Sequence, residues 1–251
     1  MKRLKALSSF LKPELIQYEG DQLVLKVASM PKLFKTCSAG YGFGKNDEDP
    51  TDPDIFQLGW DTLAVLKIEH DRFVINEIMN FHTNEKNVEK WIGKSYNQIV
   101  THAVDTCCFI YLKTDDMIII AHLDKPQLEK AFPEIVKRMP PQDRTEGLCS
   151  MIVDDDPDQI RQRFKEKVIA NYPMISLLIR PQHIHSEPIK RYTHFEIGIY
   201  FNDNTIDVFG DYTLFFPLKS DEQKAKTYLF SSLLELQEIQ NQITDTSCII
   251  I

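Results

Sequence analysis

Two adjacent thiols, Cys107 and Cys108, stand ahead of an imidazole, His122, in a stretch made of two short apolar runs, Cys108–Leu112 and Met117–Ala121. A polar break at Lys113-Thr114-Asp115-Asp116 separates the runs, the pattern of a β-hairpin. A four-residue turn at 113–116 sets Leu112 opposite Met117 and therefore Cys107 opposite His122. Opposed residues on one face hold their Cβ atoms about 4.5–5.5 Å apart, near enough for an imidazole to draw a thiol toward thiolate. A three-residue turn brings Cys108 to the histidine's face instead, so register decides which thiol is the nucleophile. Thr101, six positions before Cys107, falls at the end of a helix or in the loop after it, where its hydroxyl faces the imidazole or a bound amide. Thiol, imidazole and hydroxyl together make nucleophilic acyl transfer available without a metal or organic cofactor. The same residues also suit a buried structural cysteine beside a strand-end histidine, because a free cysteine behaves as a small hydrophobe.

A threonine, then a cysteine at the head of a strand, then a histidine on the next strand resembles the Cys-His glutamine deamidases: chemotaxis-receptor deamidases, cytotoxic necrotizing factors and Burkholderia-type lethal factors. The resemblance covers Thr101 to His122. It implies Cys107 as nucleophile, His122 as general base and Thr101 as an orienting hydroxyl, and a protein substrate, with a small GTPase as the partner. Asp105 and Thr106 stand where that group carries a small residue and then glycine or serine, a departure at the segment whose backbone N–H groups would serve an oxyanion. Transglutamination and proteolysis use the same thioester-forming pair. A lipid-anchored adaptor without catalysis is the non-enzymatic alternative.

The last four residues, Cys248-Ile249-Ile250-Ile251, have the form of a prenylation box, with Cys248 as the lipid-accepting thiol. The box predicts a eukaryotic prenyl transferase as a partner and the cytosolic face of a eukaryotic membrane as the location, for a protein made there or delivered by a bacterium as a virulence effector or toxin. One prenyl chain is a weak anchor and takes a second signal. Met1 to Lys12 offers one, with Lys2, Arg3, Lys5 and Lys12 flanking Leu4, Leu7, Phe10 and Leu11.

Composition narrows the remaining options. With 251 residues, 43% hydrophobic and 26% charged, the chain sits in the globular range, and a net charge of -8 argues against a nucleic-acid partner. Five irregularly spaced cysteines match neither a disulfide framework nor a zinc motif and are expected to be reduced. Cys37 and Cys149 have no basic partner in sequence. The loop Cys37 to Gly44 lacks the Gly-Lys-Ser/Thr ending of a P-loop, and the acidic run 154–156 has Gln159 and Lys165 where a calcium loop needs glycine and glutamate. That run reads as an acidic N-cap, with Pro157 at the first position of a helix over 158–170. His183, His185 and His194 show no third ligand at a fixed spacing, so they give no metal site.

Positioning the hairpin requires a larger frame. Strands are expected at 22–27, 63–68, 72–78, 108–112, 117–121, 174–179, 194–201 and 205–209, and helices at 87–102, 126–138 and 221–243. The implied class is α+β, with a mixed, mainly antiparallel sheet or sandwich core flanked by helices and a C-terminal amphipathic helix. The implied organisation is a basic segment over 1–13, one α+β domain over 14–219, and a helix and tail over 220–251.

Overall fold

The computed structural model describes residues 16–19, 22–25, 54–81, 86–101, 104, 106–141, 145–152, 157–180, 184–186, 189–202, 205–217, 223–230 and 232–247. The N-terminal basic segment, the glycine loop, the acidic run and the Cys248 box lie outside them, as do the side chains of His183, His185 and His194.

Local chemistry sets the hairpins. Strands β1 (Ile16–Glu19) and β2 (Gln22–Leu25) form a separate antiparallel pair, and β3 (Ile55–Gln57) is a short strand. Next come β4 (Thr62–Glu69) and β5 (Arg72–Asn80), joined by a two-residue turn in which His70 and Asp71 both take positive φ, 52° and 57°. That primed-type turn matches the twist of paired strands. Ser95–Tyr96 and Gln98–Thr101 are β6 and β7. Cys108–Lys113 and Met117–Leu123 are β8 and β9, closed by the Thr114 N–H donating to Met117 O at 2.9 Å. The tip is therefore the two residues Asp115 and Asp116.

Further along lie β10 (Glu146–Ile152), β11 (Ser176–Arg180), β12 (Ile184–Ser186), β13 (Ile189–Asn202), β14 (Thr205–Pro217) and β15 (Gln223–Phe230). Helices α1 (Leu128–Arg138), α2 (Ile160–Asn171) and α3 (Leu233–Ser247) complete the described residues.

Two open, mainly antiparallel sheets result. One runs β11-β10-β8-β9-β4-β5-β6; the other runs β15-β14-β13-β7-β3, with β12 alongside β13. Parallel pairing occurs at β10–β11 and β3–β7. Ala64, Leu66, Phe109, Tyr111, Ile118 and Ile120 from the first sheet pack against Ile99, Phe195, Ile197, Ile199 and Val208 from the second. The other face of the first sheet, with Leu63, Val65, Ile110, Ile119 and Ala121, is covered by Leu128, Ala131 and Ile135 of α1 and Phe164 and Val168 of α2. The class is thus α+β, as expected, in a helix–sheet–sheet arrangement. Leu236 and Ile239 of the amphipathic α3 join the inter-sheet core.

Three expectations need correction. Residues 87–102 are not a continuous helix. A 3-10 turn at Lys86–Trp91 stops at Gly93, whose φ of +80° no helix permits, and β6 and β7 follow. Thr101 therefore ends a strand. The stretch 221–243 is not one helix either: Gln223–Phe230 pairs with β14, and the helix begins at Leu233. Thr227, Tyr228 and Phe230 favour strand over helix, and the ladder offers them partners. Helix α2 starts at Ile160, after Gln159 in the left-handed region at φ 57° with no side-chain cap, so Pro157 is not its first residue.

Candidate functional site

Alternation along the ladders decides which side chains meet. Phe109, Ile118 and Ile120 face the inter-sheet core, so Cys107 and His122, an even number of residues away, face it too. Cys108 faces the helices, in the cluster with Leu123 and Cys149, and its Sγ lies 3.9 Å from Cys149 Sγ. Cys107, Cys108 and Cys149 are free thiols. The observed pairs are Cys108 with Leu123 and Phe109 with His122. Cys107 is thus not directly opposite His122, as the four-residue turn implied. The tighter tip slides the ladder by one step on each strand and leaves Cys107 on the diagonal, roughly 7–8 Å between Cα atoms for such a pair.

His122 is fully buried and paired on its other side with Thr62 of β4. Its Nδ1 lies 2.7 Å from Thr101 Oγ1, across the gap between the sheets. Thr101, also fully buried, donates its one hydroxyl proton to Leu58 O at 2.8 Å. An oxygen whose proton is committed offers the imidazole only lone pairs, so Nδ1 carries a hydrogen and Nε2 is the ring nitrogen not held by Thr101. Leu58 is held in turn by its N–H donating to Val100 O at 2.8 Å.

Cys107 sits at the entrance to β8 in a segment bound from several sides. The guanidinium of Arg180, at the end of β11 and fully buried, donates from Nη1 to Val104 O and from Nη2 to Cys107 O. Arg161 Nη2 donates to Thr106 O at 3.0 Å, and Val104 N–H donates to Phe195 O at 3.0 Å. Cys107 as a residue is 6% exposed. Burial, with Asp124 and Asp61 adding to it, pushes its pKa from 9.0 up to about 12, against a downward pull from Arg180 and a Thr106 hydrogen bond. The resting thiol is therefore protonated at neutral pH.

Residues that sequence reasoning missed form the outer wall. Trp60, 43% exposed, meets the His122 ring edge-on at 6.3 Å between centroids. Asn80 Nδ2 donates to Trp60 O and to Thr62 Oγ1, each at 3.0 Å. Asp61 adopts φ 51°, which aspartate tolerates better than most residues, and its Oδ1 accepts from Asp124 N–H at 2.8 Å. Neither Asp61 nor Trp60 lies near Cys107 in sequence. Arg180, ending the largely apolar stretch 175–179, carried the one legible signal, since a lone arginine closing an apolar strand needs partners for its charge.

Among the described residues no group of three or more histidine, cysteine or acidic side chains is placed to hold a metal ion, and no helix is long and apolar enough to cross a membrane. No protein-family model matches the sequence, and no curated protein matches it.

Proposed function

We propose that the chain is a protein-glutamine deamidase with Cys107 as nucleophile, His122 as general base and Thr101 as the group that orients the imidazole. The observation that carries the reading is the Thr101–His122 contact at 2.7 Å, which leaves Nε2 as the proton acceptor in the ring that shares a sheet face with Cys107. Attack of Sγ on the glutamine side-chain carbon passes the thiol proton to the imidazole. Collapse of the tetrahedral adduct breaks the C–N bond, and the imidazolium protonates the leaving nitrogen, releasing ammonia. Water then attacks the thioester with the imidazole as base, giving glutamate and the free thiol. Because the resting thiol is neutral, proton transfer accompanies attack rather than preceding it.

By resemblance the substrate is a small GTPase. A negative charge replacing a neutral water-positioning amide would disable such an enzyme. Prenylation at Cys248 would bring both proteins to one membrane surface. The test is intact-mass analysis of small GTPases purified after co-expression with wild type or Cys107→Ala in eukaryotic cells. A shift of about one dalton with wild type alone supports deamidation. No shift with either supports the second reading, a lipid-anchored adaptor, which the burial of Cys107 favours.

A further inference from the structure

We propose that Arg180 is the positioning residue for Cys107: its guanidinium fixes the peptide that follows the nucleophile and supplies the positive charge that a developing thiolate needs. The inference rests on the cysteine-hydrolase reading and names a residue outside the Cys-His-Thr set.

A fully buried guanidinium is costly unless its donors and charge are used. Arg180 comes from β11, a strand reached only through the crossover helix α2 and paired parallel to β10. From there it donates to two carbonyls of one short segment, Val104 and Cys107, which are 76 and 73 residues away in sequence. The ring of Phe195 lies under the guanidinium at 5.2 Å and holds its plane. The trans peptide makes the consequence specific. With Cys107 C=O held toward Arg180, the N–H of Cys108 in the same plane points the opposite way. That peptide leads directly into the β8 ladder, where Cys108 pairs with Leu123, so it is held by Arg180 on one side and by β9 on the other, and the backbone next to the reacting sulfur is fixed. Arginine suits the task because its fork spans two acceptors, whereas an ammonium is a point charge. Burial raises the Cys107 pKa, and Arg180 is the cation that opposes the rise.

The experiment follows iodoacetamide alkylation of Cys107 at pH 9 by peptide mass spectrometry on the full chain, with thermal unfolding alongside and ammonia release measured on purified small GTPases. Below its pKa a thiol alkylates in proportion to its thiolate fraction, so Arg180→Met is expected to react about tenfold more slowly than wild type. Arg180→Lys keeps the charge and is expected to alkylate within about twofold of wild type, yet to release ammonia at least about 30-fold more slowly because it loses the two-carbonyl grip. Alkylation of Arg180→Met as fast as wild type, or faster because a loosened segment exposes the sulfur, overturns the proposal. So does full ammonia release by Arg180→Lys, the variant that decides the matter if Arg180→Met does not fold. Slowed alkylation in Arg180→Met with no ammonia release by wild type would sink the hydrolase reading and leave the electrostatic role of Arg180 standing.

Discussion

Thr101 and His122 belong to different sheets, and the 2.7 Å contact between Thr101 Oγ1 and His122 Nδ1 is a polar bridge through the core that joins them. The imidazole is therefore oriented by the docking of the second sheet rather than by its own strand. Nitrogen-15 NMR of the histidine ring is expected to show the Nδ1–H tautomer in wild type. Thr101→Val leaves Leu58 O without its donor and Nδ1 without its acceptor, at a cost of about 1–3 kcal/mol. The ring signal should move toward the Nε2–H tautomer, and amide hydrolysis should fall about 100-fold. An unchanged tautomer in the folded variant would show that Thr101 does not orient the ring.

Burial of the Cys107 thiol has a consequence for stability at high pH. The folded state holds the proton up to a pKa of about 12, whereas the unfolded chain releases it near 9.0. Between these values the unfolded state binds fewer protons, so stability is fully present below pH 9 and falls as pH rises toward 12. The thiol contributes about 1.4 kcal/mol of loss per pH unit in that window. Urea unfolding at pH 8 and pH 10.5 is expected to show a drop about 2 kcal/mol larger for wild type than for Cys107→Ala. Equal drops would mean that the sulfur is far better solvated than the burial of Cys107 implies.

The two neighbouring thiols are expected to behave differently. Cys107→Ala should abolish any one-dalton modification of a partner protein. Cys108→Ala, on the helix-facing side with Cys149, should keep activity within about fivefold and lose about 1–2 kcal/mol of stability. Loss of activity in Cys108→Ala alone would move the nucleophile to the other face of β8.

Backbone crowding sets the tolerance of the central sheet. A Cβ at Gly147 would sit 1.9 Å from Tyr111 O, a ladder atom that cannot retreat without breaking the β8–β10 pairing. Gly147→Ala should cost about 2–4 kcal/mol in chemical denaturation. At Gly93 nothing lies within 4 Å, so Gly93→Ala carries only the strain of φ +80°, about 1–2 kcal/mol.

Attachment at Cys248 is tested by isoprenoid labelling in eukaryotic cells. The wild-type chain is expected to take up label and partition to membranes, and Cys248→Ser to do neither. Label retained in Cys248→Ser would place the lipid elsewhere.

Hairpins were readable because their information is local. The β4–β5 and β8–β9 turns lie between β-branched runs, and Asn202 and Thr205 bracket the turn between β13 and β14. Elements whose identity depends on distant partners were not readable. Ile99 and Val100 fall at helical spacing from Val88 and Trp91, yet they pair with Ile199 and Gly198 of β13. The same dependence hid the surroundings of the candidate site. Leu58, Trp60, Asp61 and Arg180 reach it only through inter-strand pairing, whereas Thr101, Cys107 and His122 were candidates through a resemblance in order and spacing, and the register that would oppose Cys107 to His122 is not the one observed.

The two-residue tip of the β8–β9 hairpin bears on how this part of the chain can change over generations. A ladder repeats every two residues, so a tip that gains or loses two residues slides Cys107 along the sheet but keeps it on the side of His122. A change of one residue would invert the strand and present Cys108 instead. With sulfur at both positions, an insertion that should remove a thiol from the face of His122 would exchange it for its neighbour's.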